Sequence, residues 1–60
     1  MERKKLENML DRSKHLLKSI EKFEHYVNDN IRDEDDLHIL ATSLRRDASD
    51  IVEELDRRLH

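Results

Sequence analysis

Asn28-Asp29-Asn30-Ile31-Arg32-Asp33-Glu34-Asp35-Asp36 is the stretch that decides the fold, because regular apolar spacing stops on one side of it and resumes on the other. Asn is the best substitute for Gly at the left-handed residue that closes a helix, which places a helix end near Asn28. Asp33 is a natural N-cap, and the acids behind it would sit in a first turn where the helix dipole favours them. The stretch therefore reads as a turn between two helices.

Upstream, with Leu6 taken as heptad position a, the a and d series runs Leu6, Met9, Ser13, Leu16, Ile20, Phe23, Val27. Only Ser13 is polar. Leu10 and Leu17, one residue beyond d, widen the stripe to the three-in-seven face of a bundle helix rather than a two-stranded coiled-coil seam. Downstream, Leu37, Ala41, Leu44, Ala48, Ile51 and Leu55 repeat the same 4-3 spacing, flanked by Leu40, Val52 and Leu59. Large residues alternate with small ones along that series, a layering that lets helices approach closely and interdigitate. Continued past Val27, the first series meets Asn30 and Glu34 and falls out of step with the second stripe, which disfavours one unbroken helix. The spacing predicts helix 1 at about 3–28, a turn at about 29–33 and helix 2 at about 34–59.

Composition agrees. Gly and Pro are absent from all 60 residues, so tight turns with positive φ and hairpin-linked strands lack their usual residues. With 45% charged and 35% hydrophobic residues the chain matches a long helix or coiled coil, and the regular apolar spacing argues against disorder. A chain of this length buries only about 60% of its unfolded surface and usually needs disulfides, metals or association. There is no Cys, which removes disulfides and thiolate metal sites. Association is left. The predicted architecture is all-α: an antiparallel helical hairpin that forms a homodimeric four-helix bundle, with Leu6, Met9, Leu16, Ile20, Phe23, Val27, Leu37, Ala41, Leu44, Ala48, Ile51 and Leu55 as its core.

No apolar run approaches the ~20 residues of a membrane span, and no hydrophobic signal core follows Met1-Glu2-Arg3-Lys4-Lys5. The expectation is a soluble, cytoplasmic protein without a membrane partner.

Chemistry is sparsely provided. His15, His25, His38 and His60 are never three or four residues apart, so none forms the usual helical ligand pair, and they read as solvated residues. Asp33, Glu34, Asp35 and Asp36 lack the alternating acids, the Gly and the distal Glu of a calcium loop and read as a capped helix start. No Cys nucleophile, strained Ser-His arrangement or Gly-rich phosphate loop is present. No catalytic residue, metal or cofactor is expected, and the chain is read as a non-enzyme.

Charge is divided along the chain: residues 1–22 hold seven Lys/Arg and four Asp/Glu, whereas residues 23–60 hold five and eleven. Lys4, Lys14, Lys18 and Lys22 fall on the outer b, c and f positions of helix 1, with Asn8, His15 and His25 among them. Glu7, Asp11 and Glu21 interrupt them. Such a stripe suits phosphate contacts and equally suits an ordinary solvated helix. Tyr26, near this face, could stack on a base.

Ser43-Leu44-Arg45-Arg46-Asp47-Ala48-Ser49-Asp50-Ile51 resembles the second-helix stretch Ser-Leu-His-Asp-His-Ala-Asp-Glu-Leu of the repressor-of-primer (Rop) family of colicin-type plasmids, and the acidic turn before it is also similar. The first helix matches in pattern only. The family's two core Cys are missing, with Ala41 where one would be. The resemblance implies a hairpin that dimerises into an antiparallel four-helix bundle and binds RNA loops through the paired first helices, where Lys4, Lys14, Lys18 and Lys22 would act. Glu54-Leu55-Asp56 also matches the end of the Ser-Gln-Glu-Leu-Asp motif of sporulation aspartyl-phosphate phosphatases, without its Ser and Gln. The reading is a small regulatory or adaptor module that binds structured RNA or a protein. The alternative is an assembly subunit or helical chaperone that pairs with a different protein.

Overall fold

A computed structural model describes residues 2–60. Two helices, α1 (Arg3–Asn30) and α2 (Asp35–Leu59), lie side by side as an antiparallel hairpin with dimensions of 45 × 14 × 14 Å. No strand occurs among the described residues.

The helix ends differ from the sequence reading. Helix α1 continues through Asn28 to Asn30 and closes at Ile31, whose N–H donates to the Val27 carbonyl at 2.9 Å. No described residue has a positive φ, so no Asn serves as the left-handed stop. Instead Ile31 turns the chain at φ −124° and ψ 86°, and the Asn30 side-chain amide donates back to the Tyr26 carbonyl. The N-cap of α2 is Glu34 rather than Asp33. Its carbonyl accepts from the amides of Leu37 and His38, and no side chain caps the helix.

Charge placement treats the helices unequally. Asp35 and Asp36 occupy the first turn of α2 and Arg57 and Arg58 the last, both complementary to its dipole. Helix α1 begins with Arg3, Lys4 and Lys5 and has no basic residue in its last turn. Its electrostatics oppose the helix, so packing against α2 must hold it.

That packing uses one flank of each stripe. Leu10 and Val27 on α1, and Ala41, Ala48 and Leu55 on α2, are buried. Leu6, Ser13, Leu17, Ile20, Ile31, Val52 and Leu59 are half-buried beside them. The two alanines permit the close approach: Ala41 is 0% and Val27 1% exposed. Register is fixed by contacts at heptad position e: Glu24 meets Arg45, Ile31 meets His38, and Leu10 and Leu59 line one hollow at the open end. Each step of seven residues down α1 is matched by seven up α2, which sets Leu17 level with Val52.

The heptad phase also runs straight through the turn. Val27, Glu34 and Ala41 are seven apart, as are Phe23, Asn30, Leu37 and Leu44. The second stripe is therefore in step with the first, contrary to the sequence reading. The interruption consists of polar Asn30 and Glu34 at core positions, not a shift of phase.

Candidate interaction surface

Among the described residues, nine large apolar ones remain exposed to water, and six of them fall in two regular rows. Met9, Leu16 and Phe23 recur every seven residues on α1, and Leu37, Leu44 and Ile51 do so on α2, with exposures between 38% and 55%. All six occupy heptad position d, one step round the helix from the buried a row. In an antiparallel pair of right-handed helices, equivalent flanks fall on the same side of the hairpin, so the two rows form one continuous strip. The e rows, with Glu24 and Arg45, lie on the opposite side. Among the sequence-expected core residues, Val27, Ala41, Ala48 and Leu55 are thus covered by the hairpin itself, and Leu6 and Ile20 partly so. The d residues are not.

The strip widens towards the turn. Tyr26 is 61% and Leu40 52% exposed, and both occupy position g at the strip's edges. Tyr26 borders Phe23 on one side and the Lys22 row on the other. Farther from the turn the g positions are Ser19, Arg12 and Lys5 on α1 and Asp47 and Glu54 on α2.

Two contacts on the hairpin's own seam were not legible as such in the sequence. The Arg45 guanidinium donates across to Glu24 at 3.0 Å, with side chains only 35% and 18% exposed. His38, expected to be a solvated residue, is half-buried, with one ring nitrogen against the Ile31 carbonyl and the other 2.8 Å from Asn28 Oδ1. The imidazole thereby ties α2 to the end of α1. The signal available beforehand was spacing: Glu24, Ile31, His38 and Arg45 continue the seven-residue row begun by Leu10 and Leu17.

On the outer face of α1, Lys4, Lys14, Lys18 and Lys22 are all exposed. Lys14, His15 and Lys18 line a shallow hollow with Asp11, whose carboxylate lies 3.9 Å from His15 Nε2. Neither Lys14 nor Lys18 is near Lys4, which lies more than two helical turns away at 1.5 Å per residue. A second hollow, on the outer face of α2, is lined by His38, Ile39, Thr42, Ser43 and Arg46. Among the described residues no group of three or more His, Cys, Asp or Glu is placed to hold a metal ion. No described helix is long and apolar enough to cross a membrane.

No family model, characterised protein or solved structure matches the chain. The likeness to the repressor-of-primer family rests on the second-helix stretch and the layout alone. Geometry must carry the functional reading, and the apolar strip is its largest feature.

Proposed function

We propose that the protein is a non-enzymatic regulatory or adaptor module whose working form is a homodimeric four-helix bundle. The observation that carries this reading is the strip of Met9, Leu16, Phe23, Leu37, Leu44 and Ile51. Each of these half-exposed side chains forfeits about 1 kcal/mol when left in water. Six together forfeit an amount comparable with the whole stability of a small domain, about 5–15 kcal/mol. A second copy fits the strip best because the strip is self-complementary. It presents two parallel rows at heptad spacing, and a two-fold axis sets the same rows of another hairpin against them. The a and d layers of four helices then form one core.

A mass measurement by light scattering tests the proposal. The expected mass is twice the 7.3 kDa of one chain, with a melting temperature that rises with concentration. A helical monomer of 7.3 kDa at 100 μM would overturn it.

Binding of structured RNA by the outer face of α1 is a second reading. Lys14, Lys18 and Lys22 are spaced four apart and exposed there, while the exposed acids are concentrated from Asp29 onward. The formal net charge of −3 opposes non-specific affinity, so binding would depend on RNA shape. Gel shifts with paired RNA loops, single strands and duplex DNA at two salt concentrations test it. No shift at micromolar protein in low salt retires RNA and leaves a protein as the bundle's partner.

A further inference from the structure

The g positions decide how two such hairpins would meet, and this inference rests on the dimer proposed above. Two symmetric arrangements set one apolar strip on another with every neighbouring helix antiparallel. In the first, the turns lie at the same end and α1 of each copy neighbours α2 of the other. In the second, the turns lie at opposite ends, α1 neighbours α1, and α2 neighbours α2.

We infer that the turns lie at the same end, with Arg12 of each copy beside Glu54 of the other and Tyr26 beside Leu40. The intramolecular register supplies the heights: Glu24 is level with Arg45 and Leu10 with Leu59. A two-fold axis parallel to the helices preserves height between copies. Arg12 on one copy then lies three residues, about 4.5 Å, from the level of Glu54 on the other, within reach of its long side chain, and Ser19 and Tyr26 stand in the same relation to Asp47 and Leu40. Opposite charges meet twice per dimer, and the two most exposed apolar residues bordering the strip cover one another.

The opposite-end arrangement loses both matches. It runs the α2 edges antiparallel, which sets the acidic g positions Asp47 and Glu54 of one copy along those of the other, where Glu54 has only Arg57 and Arg58 of its own chain as partners. It also leaves Tyr26 facing the Lys5 end of the other α1. Like charges along a buried seam disfavour that pairing. The same-end form does gather the acidic turns, but those residues are exposed and their repulsion is screened over ~10 Å at 0.1 M salt. A consequence follows for the lysines: the two α1 helices sit on a diagonal, so their outer faces form two separate basic surfaces. The side-by-side pair implied by the repressor-of-primer resemblance is not formed.

A spin label at the turn tests the arrangement. The chain has no Cys, so Arg32→Cys, at an exposed position, takes a single label. Pulsed dipolar spectroscopy on the dimer should give a separation on the order of 20 Å, since neighbouring helix axes lie ~8–10 Å apart. A separation near the hairpin's 45 Å length, in a species of dimeric mass, would overturn the same-end arrangement and leave the dimer standing. A monomeric mass with no dipolar coupling would remove the dimer itself. As an independent check, Arg12→Glu should raise the dissociation constant roughly tenfold, and Glu54→Arg in the same chain should restore it. Failure of that rescue counts against the pairing.

Discussion

Removing the Arg45 guanidinium should expose how much of the hairpin's register depends on one ion pair. The Arg45–Glu24 contact is 3.0 Å long and sits on the e-row seam, seven residues along each helix from the Ile31–His38 contact at the turn. At that distance the gross attraction is ~5 kcal/mol for an effective dielectric near 20. Desolvation and side-chain ordering oppose it, and the guanidinium remains 35% exposed. The net coupling should therefore fall between that of exposed pairs, ~0.2–1 kcal/mol, and the ~3–5 kcal/mol lost when a buried pair is broken. We expect about 1–2 kcal/mol. Arg45→Ala strands the Glu24 carboxylate at 18% exposure and should cost about 2 kcal/mol, lowering the melting temperature by ~4–8 °C per kcal/mol. The assay is a double-mutant cycle with Glu24→Ala, followed by circular dichroism in urea at one fixed protein concentration, since association contributes to apparent stability. Replacing both residues by Leu should be neutral or stabilising. A coupling energy under about 0.3 kcal/mol would refute the reasoning and reduce the pair to a surface ornament.

Other perturbations probe the remaining surfaces. Leu44→Asp places a carboxylate at the centre of the proposed dimer core and should abolish both association and helicity, as read by sedimentation and circular dichroism; a well-folded helical monomer contradicts the bundle. Ser13 is half-buried in the α1 stripe, so Ser13→Ala or Ser13→Val should raise the melting temperature; a loss of more than about 1 kcal/mol would instead reveal a specific hydrogen bond made by its hydroxyl. If α1 binds RNA, Lys14→Ala and Lys18→Ala should each weaken binding and flatten its salt dependence, with an unchanged melting temperature separating lost phosphate contacts from lost fold.

Two helices were legible because the apolar residues follow 4-3 spacing on both sides of a polar junction, and burial in an antiparallel hairpin requires no other information. Which flank of each stripe the hairpin would use was not legible. The stripe is apolar across a, d and part of e, so Leu10 and Met9 look equally suited to the interior. Yet Leu10 is buried and Met9 is 43% exposed. Glu24 and Arg45 were not singled out because the partner of each lies 21 positions away, which local spacing does not reveal. The turn misled for a different reason. Asn28 and Asp33 carry strong local preferences for ending and starting helices, but satisfied backbone groups at Ile31 and Glu34 made those devices unnecessary. His38 was read as solvated because no other ligand lay near it in sequence, although its partners are Asn28 and the carbonyl that closes α1.

The unbroken heptad phase across residues 27–41 makes the hairpin one of two shapes that bury the same side chains. If residues 31–34 adopted helical backbone angles, the chain would become a single rod, about 85 Å long at 1.5 Å per residue. None of those residues is a Pro, and none holds a positive φ that would lock the bend. Two rods lying antiparallel would bring α1 of one chain against α2 of the other with every e-row contact intact, now made between chains. The polar pair Asn30 and Glu34 is what penalises that exchange, since it would stand at core positions in a continuous stripe. These two side chains thus act as a topological fuse: apolar replacements there would strengthen the helix and the core while allowing the protein to trade its closed hairpin for an open, swapped form.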